Sequence, residues 1–143
     1  MTIHVKLDNG AYLPTRAHAL DAGYDLRTPV DFSIPPADED GAGIAVIDTG
    51  VHMAIPEGYF GELKSKSGLN VRGSLFGTGL IDAGYTGSIQ VKLYNLGPYW
   101  HHFRRGDKII QIVIQPFVAP ELVEVESLPE TERGENGFGS TGR

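Results

Sequence analysis

The sequence predicts an all-β fold, a sandwich or barrel of short strands, on three observations. Glycine (19) and proline (9) interrupt the 143-residue chain so often that no stretch free of both exceeds nine residues. A typical helix runs about 11–12 residues, so little room is left for one. The apolar residues fall in short runs between these interruptions, the pattern of an all-β sandwich or barrel. The most regular of those runs alternates with a period of two, as a half-buried strand must.

Weaker strands are expected at 3–7, 44–48, 51–55, 59–65 and 122–126, beside two stronger ones. The clearest is Ser88 to Asn95, where Ile89, Val91 and Leu93 share one side and Gln90 and Lys92 the other. Ile109 to Ile114 is apolar on both sides apart from Gln111, which predicts a strand buried on both faces, in part against another subunit. Pro35 to Gly41 has the composition of an exposed acidic turn. Gly79 to Gly87 carries turn glycines ahead of the clearest strand and predicts a hairpin. From Arg133 the chain reads Arg-Gly-Glu-Asn-Gly-Phe-Gly-Ser-Thr-Gly-Arg. Four glycines and one Phe138 cannot bury enough surface to offset the entropy of ordering. The expected organisation is therefore one β domain over 1–132 and a mobile Gly-rich arm over 133–143, with no repeat and no second domain.

Composition narrows the function classes. An apolar fraction of 41% and a charged fraction of 21% are those of a soluble globular protein. The net charge of −6 offers no general basic face to nucleic acid. Without cysteine there is no disulfide framework and no thiolate metal site. No apolar run approaches the roughly 18 residues of a membrane span, and Met1 to Val5 lacks the features of a signal peptide. A cytoplasmic location is expected.

Any anion must then be held by a local cluster of donors. The final segment supplies one candidate: glycine N–H groups, the Ser140 and Thr141 hydroxyls, the Arg133 and Arg143 forks, and Phe138 as a flat face for a base. It is not a Walker A loop, because the Gly-Lys-Ser/Thr ending is missing. Ser65-Lys66-Ser67-Gly68 offers a cation and hydroxyls of the kind that suit a phosphate, though a solvated loop reads the same way. Asp21-Ala22-Gly23-Tyr24-Asp25 pairs two acids across a glycine turn, and carboxylates hold Mg²⁺ directly or through its waters. Between Glu62 and Glu121 the only carboxylates are Asp82 and Asp107, so a general base on the central sheet has few candidates. His101-His102 would point to opposite faces of a strand, which opposes a shared metal ion.

Taken together, Asp21–Leu26, Ser65–Leu69, Gly79–Gly87, Arg105–Ile112 and Arg133–Arg143 resemble, in order, the five motifs of the trimeric deoxyuridine triphosphatase (dUTPase) family. The resemblance covers nearly the whole chain. It implies a jelly-roll-like β-sandwich of the dUTPase β-clip type and a homotrimer with three shared active sites. It implies hydrolysis of dUTP to dUMP and pyrophosphate by water attack on the α-phosphorus, with Mg²⁺ as cofactor. That reaction limits uracil in DNA and supplies dUMP for dTMP synthesis.

The resemblance also assigns roles. Gly79, Leu80, Ile81 and Gln90 would line the uracil site, with backbone groups near Gly79 and Gln90 reading the base. Tyr85 would sit against the deoxyribose and exclude a 2′-hydroxyl. Asp82 would contact the 3′-hydroxyl and orient the attacking water. Lys66, Ser67, Gly68 and Gln111 would hold phosphates, and Asp25 would place the hydrated Mg²⁺. Arg133, Phe138, Gly139, Ser140 and Thr141 would close over the ligand from another subunit. If a virus encodes the chain, a regulatory protein partner is a further expectation.

Two departures stand out. The second motif usually begins Pro-Arg-Ser-Gly and here reads Ser65-Lys66-Ser67-Gly68, so the charge stays but the bidentate fork is lost. Phe76 stands where some relatives carry an asparagine that reads uracil, which leaves base reading to backbone groups. A dCTP deaminase on a related fold would need a catalytic glutamate on the central sheet, and no Glu lies between 62 and 121. A purely non-catalytic binding protein gives no reason for Asp82 and a full tail, and a structural jelly roll gives none for the tail's composition.

Overall fold

The computed structural model describes residues 1–135. Strands β1 (His4–Leu7), β2 (Gly23–Arg27), β3 (Phe32–Ile34), β4 (Gly43–Asp48), β5 (Val51–Ala54) and β6 (Tyr59–Lys64) precede one short helix, α1 (Ser67–Gly73). After it come β7 (Leu75–Phe76), β8 (Thr78–Ile81), β9 (Gln90–Asn95), β10 (His101–Phe103) and β11 (Lys108–Pro116). The result is an all-β, jelly-roll-like fold, as the punctuation by glycine and proline requires.

Four small antiparallel sheets make up the domain: β2-β11-β6-β8, β4-β9-β7, β1-β5 and β10-β3. The expected side of β9 is the buried one, with Ile89, Val91 and Leu93 all in the core beside Leu26, Ile34, Val51, Leu63 and Leu75. Each such side chain contributes roughly 1.5–3 kcal/mol on leaving water. Strand β11 carries neighbours on both edges, β2 and β6. A register shift between Lys108 and Ile110 lets the adjacent Ile109 and Ile110 both be buried, which an unbroken alternation would forbid.

Three expectations are corrected. The segment 79–90 is not a hydrogen-bonded hairpin: β8 pairs with β6, β9 pairs with β4 and β7, and the loop between crosses from one sheet to the other. Gly84, at φ +85°, makes its turn, a conformation strained for any residue with a Cβ. In the expected strand 122–126, residues 123–126 alternate apolar and acidic as a strand does, yet the segment forms none here. They pair with no strand among the described residues, and Leu122 is 91% exposed. The helix α1 was not expected. Its glycines lie near its ends, Arg72 sits in its last turn, and Ser74 at φ 54° stops it by taking the left-handed conformation.

Candidate active site

Strand order brings one polar group together. Asp25 in β2 lies opposite Gln111 in β11, and Gln111 lies opposite Lys64 in β6. The chain leaves β6 through Ser65 and Lys66 and enters α1 at Ser67. Ser65 is locked by a reciprocal pair: its Oγ donates to the Gly77 carbonyl at 3.0 Å and accepts from the Gly77 N–H at 2.8 Å. The Gln111 amide donates to the Ser65 carbonyl at 3.3 Å. Across β2 the Gln111 side chain lies against Gly23, where a Cβ would collide with its amide. A side chain at position 23 would therefore displace the Gln111 amide from its place.

Asp25 is the charged centre of this group. It is 4% exposed, and its two carboxylate oxygens are taken by different lysines. Lys66 Nζ pairs with Oδ1, and Lys108 Nζ lies 2.6 Å from Oδ2. Burial alone would push the carboxyl up. The hydrogen bonds and charges of Lys108 and Lys66 outweigh it and hold Asp25 below the ordinary carboxylate value of 3.8. Two cations on one anion leave the cluster net positive. Lys108 is a member that sequence reading missed. The available signal was the buried acid itself, which needs a cation, and the lysine that opens the apolar strand at 108–116.

The second feature is a groove of about 280 Å³ lined by Leu80, Ile81, Asp82, Tyr85 and Gln90. Strand β8 delivers Leu80 and Ile81, and Gln90 opens β9. The turn closes by the Tyr85 N–H donating to the Asp82 carbonyl at 3.2 Å. The Tyr85 hydroxyl donates to the Ser88 carbonyl at 3.0 Å, and its ring packs over Gly87. Asp82 is exposed to the groove. The other carboxylate in reach by sequence, Asp107, is used in its own turn, accepting the Arg104 N–H at 2.8 Å. Of the two acids between Glu62 and Glu121, Asp82 is the one that lines the groove.

Among the expected site residues, the structure unites Lys66, Gln111 and Asp25 in one cluster, with Ser67 and Gly68 exposed at the start of α1. It unites Leu80, Ile81, Asp82, Tyr85 and Gln90 in the groove, with Gly79 adjoining on β8. It does not unite the two sets. Thr78 is opposite Lys64 and Ile81 opposite Gly61, so Asp82 and Lys66 lie beyond opposite ends of one ladder. At about 3.3 Å per residue they are on the order of 20 Å apart. Phe76 lines a separate hollow with Ser65, Ser67 and Thr78 and is not part of the Asp82 groove. Arg133 is exposed, while Phe138, Gly139, Ser140 and Thr141 lie outside the described residues.

The dUTPase family model matches residues 9–142. The chain belongs to the dUTPase family. Variola virus deoxyuridine 5'-triphosphate nucleotidohydrolase is 42% identical over 138 residues, 96% of this chain and 90% of the relative. The Arabidopsis thaliana protein of the same description is also 42% identical, over 96% of this chain and 80% of its own length. Among solved structures, the dUTPase of Staphylococcus bacteriophage 80alpha with dUPNHPP is 36% identical, covers 99% of both chains and superposes with a TM-score of 0.85. A D95N dUTPase from phage phi11 of S. aureus, described as revealing coordination of a structural Mg(II) ion, is 32% identical with a TM-score of 0.79, over 91% of this chain and all of that one. No helix among the described residues is long and apolar enough to cross a membrane.

Proposed function

We propose that this chain hydrolyses dUTP to dUMP and pyrophosphate in sites shared between copies of itself. The separation of the Asp82 groove from the Lys66 cluster carries the reading. The α-phosphate of dUTP lies only a few bonds from its 3′-hydroxyl, so one nucleotide cannot reach from the groove to the Lys66 cluster of the same chain. A site that uses both must take the groove from one copy and the cluster from another, which a closed symmetric trimer supplies.

In such a site the groove holds deoxyuridine. The exposed edges of β8 and β9 near Gly79 and Gln90 meet the carbonyls and N–H of uracil, and Tyr85 stands beside the sugar. Asp82 contacts the 3′-hydroxyl and orients water on the α-phosphorus. Lys66, Ser67, Gly68 and Gln111 hold phosphate oxygens, and Arg133 with the residues beyond it closes over them. Displacement at phosphorus needs alignment and charge neutralisation more than covalent help.

Magnesium fits this reading as part of the substrate. Among the described residues no three acids or histidines gather to hold a metal ion, and the net positive Asp25 cluster disfavours a bare dication. Mg²⁺ carried on the triphosphate is net anionic and suits it. Asp25 retains lone pairs beyond those its lysines use and could accept from one of the ion's waters. When bound, the ion neutralises phosphate charge.

The test is pyrophosphate release from dUTP, dCTP, dTTP and UTP by the wild type and D82N. The expected result is turnover of dUTP alone, reduced about 10²–10⁴-fold in D82N with nucleotide binding retained. Near-normal turnover in D82N sinks the role of Asp82, and ammonia release from dCTP sinks the reaction.

A further inference from the structure

The loop from Asp82 to Ser88 has few bonds of its own and is pinned from outside. Asp48, at the end of β4, accepts from the Ser88 hydroxyl, and Thr49 Oγ1 donates to the Ile89 carbonyl at 2.7 Å. The third anchor is His52 in β5. Its Nδ1 lies 2.8 Å from the Thr86 carbonyl and its Nε2 lies 3.1 Å from Asp8 Oδ2. A peptide carbonyl and an ionised carboxylate only accept. Two acceptors on the two ring nitrogens call for two N–H donors, and only the imidazolium has both. A neutral ring must set a lone pair against one of them.

We propose that His52 is a positioning residue for this reaction: it clamps the Thr86 backbone, and so the pitch of Tyr85 and Asp82, and the clamp is complete only while the ring carries both protons. The proposal rests on the Asp82–Gln90 groove being the nucleoside site.

The surroundings of the ring agree. Asp8 sits at Nε2, and Asp48 faces it from the β4–β5 turn. Lys6 is directly across in β1, with His4 further along that strand. From the loop, Thr86 presents its carbonyl. The bonds to Thr86 and Asp8 raise the His52 pKa above its ordinary 6.5, against partial burial and the charge of Lys6. With the folded value raised, the clamp is fully present below about 6.5 and is lost as pH rises through the raised value.

The experiment compares the wild type with H52Q and D8N from about pH 5.5 to about pH 9, spanning the ordinary histidine value. The wild-type to H52Q ratio of kcat/KM for dUTP cancels the titration of the substrate's own phosphate. The expected ratio is about two- to tenfold at the acid end, the worth of one net hydrogen bond, falling towards one at the alkaline end. In parallel, NMR should show the Thr86 and Tyr85 amides titrating with the His52 ring, at a lower pH in D8N. A ratio constant across pH, or loop amides that ignore the ring, overturns the proposal. A wild type inert towards dUTP whose loop amides still follow His52 removes the dUTP reading and leaves the clamp standing.

Discussion

Asp25 shows how a single residue can hold a site open for an anion. A carboxylate this buried would normally be protonated or costly, and here Lys66, just ahead of α1, and Lys108, in β11, keep it ionised. Since its folded pKa lies below 3.8, the stability it contributes is present above that value and is lost as pH falls through the folded one. D25N removes the anion and leaves two part-buried ammonium groups without it. We expect D25N to lose about 1–3 kcal/mol at neutral pH. The gap to the wild type should narrow only as pH falls below 3.8 and through the lowered folded value, where the wild-type carboxyl protonates as well. Thermal unfolding of both proteins at neutral and acid pH checks this, and a gap independent of pH counts against it. The acid itself was legible in Gly23-Tyr24-Asp25, although that segment opens strand β2 instead of forming the expected glycine turn, and its two cations were not legible. Lys66 and Lys108 stand 41 and 83 positions from Asp25, and only the pairing of β2, β11 and β6 brings them to it. The departure from arginine to Lys66 also gains a reason: a point charge that bonds one carboxylate oxygen meets the need at this spot without a fork.

At the scale of elements, β9 could be read directly because burial on one face leaves a period of two, and β11 because it is a nearly continuous apolar run. The short strands β3, β7 and β10, at 2–3 residues each, are too brief to show one. Helix α1 was hidden by its own glycines. The β8–β9 connection is the instructive miss. Turn glycines before a clear strand suggest a hairpin, but they specify only that the chain bends, and sheet membership is decided by the partners β6 and β4. The consequence is functional: a loop that crosses between sheets leaves strand-end backbone uncovered on both sides of the Asp82–Tyr85 groove. Tyr85 is held rigidly there by its bond to the Ser88 carbonyl and its contact with Gly87, so it can act as a fixed wall against a ribose 2′-hydroxyl. We expect Y85A to reduce the preference for dUTP over UTP by about tenfold or more, since one steric contact and its ordering are worth about 1–3 kcal/mol in discrimination. Competition kinetics with both nucleotides measures it. Unchanged preference would mean that the sugar is read elsewhere.

The whole molecule is organised by what one chain leaves unfinished. After β11 the segment 117–128 carries Leu122, Val123, Val125 and Leu128 in exposed positions between glutamates. That is a strand pattern without a partner among the described residues, and an apolar face of this kind is stable only when another surface covers it. A second copy is the occupant that also reconciles the two separated halves of the site. On the proposed reading the segment serves assembly, while the residues from 133 onward, rich in glycine and nearly devoid of apolar side chains, close over the ligand. The two roles come apart under truncation. A chain ending at residue 132 should keep its trimer by light scattering and its fold by circular dichroism, yet lose about a hundredfold or more in dUTP turnover, because phosphate alignment and exclusion of water go with the arm. A chain ending at 116 should lose the trimer as well, and activity with it. If the 132-residue chain hydrolyses dUTP at the full rate, the arm is not a lid. If the 116-residue chain still forms trimers, the assembly surface lies in the sheets themselves, with the two-faced strand β11 the first place to look.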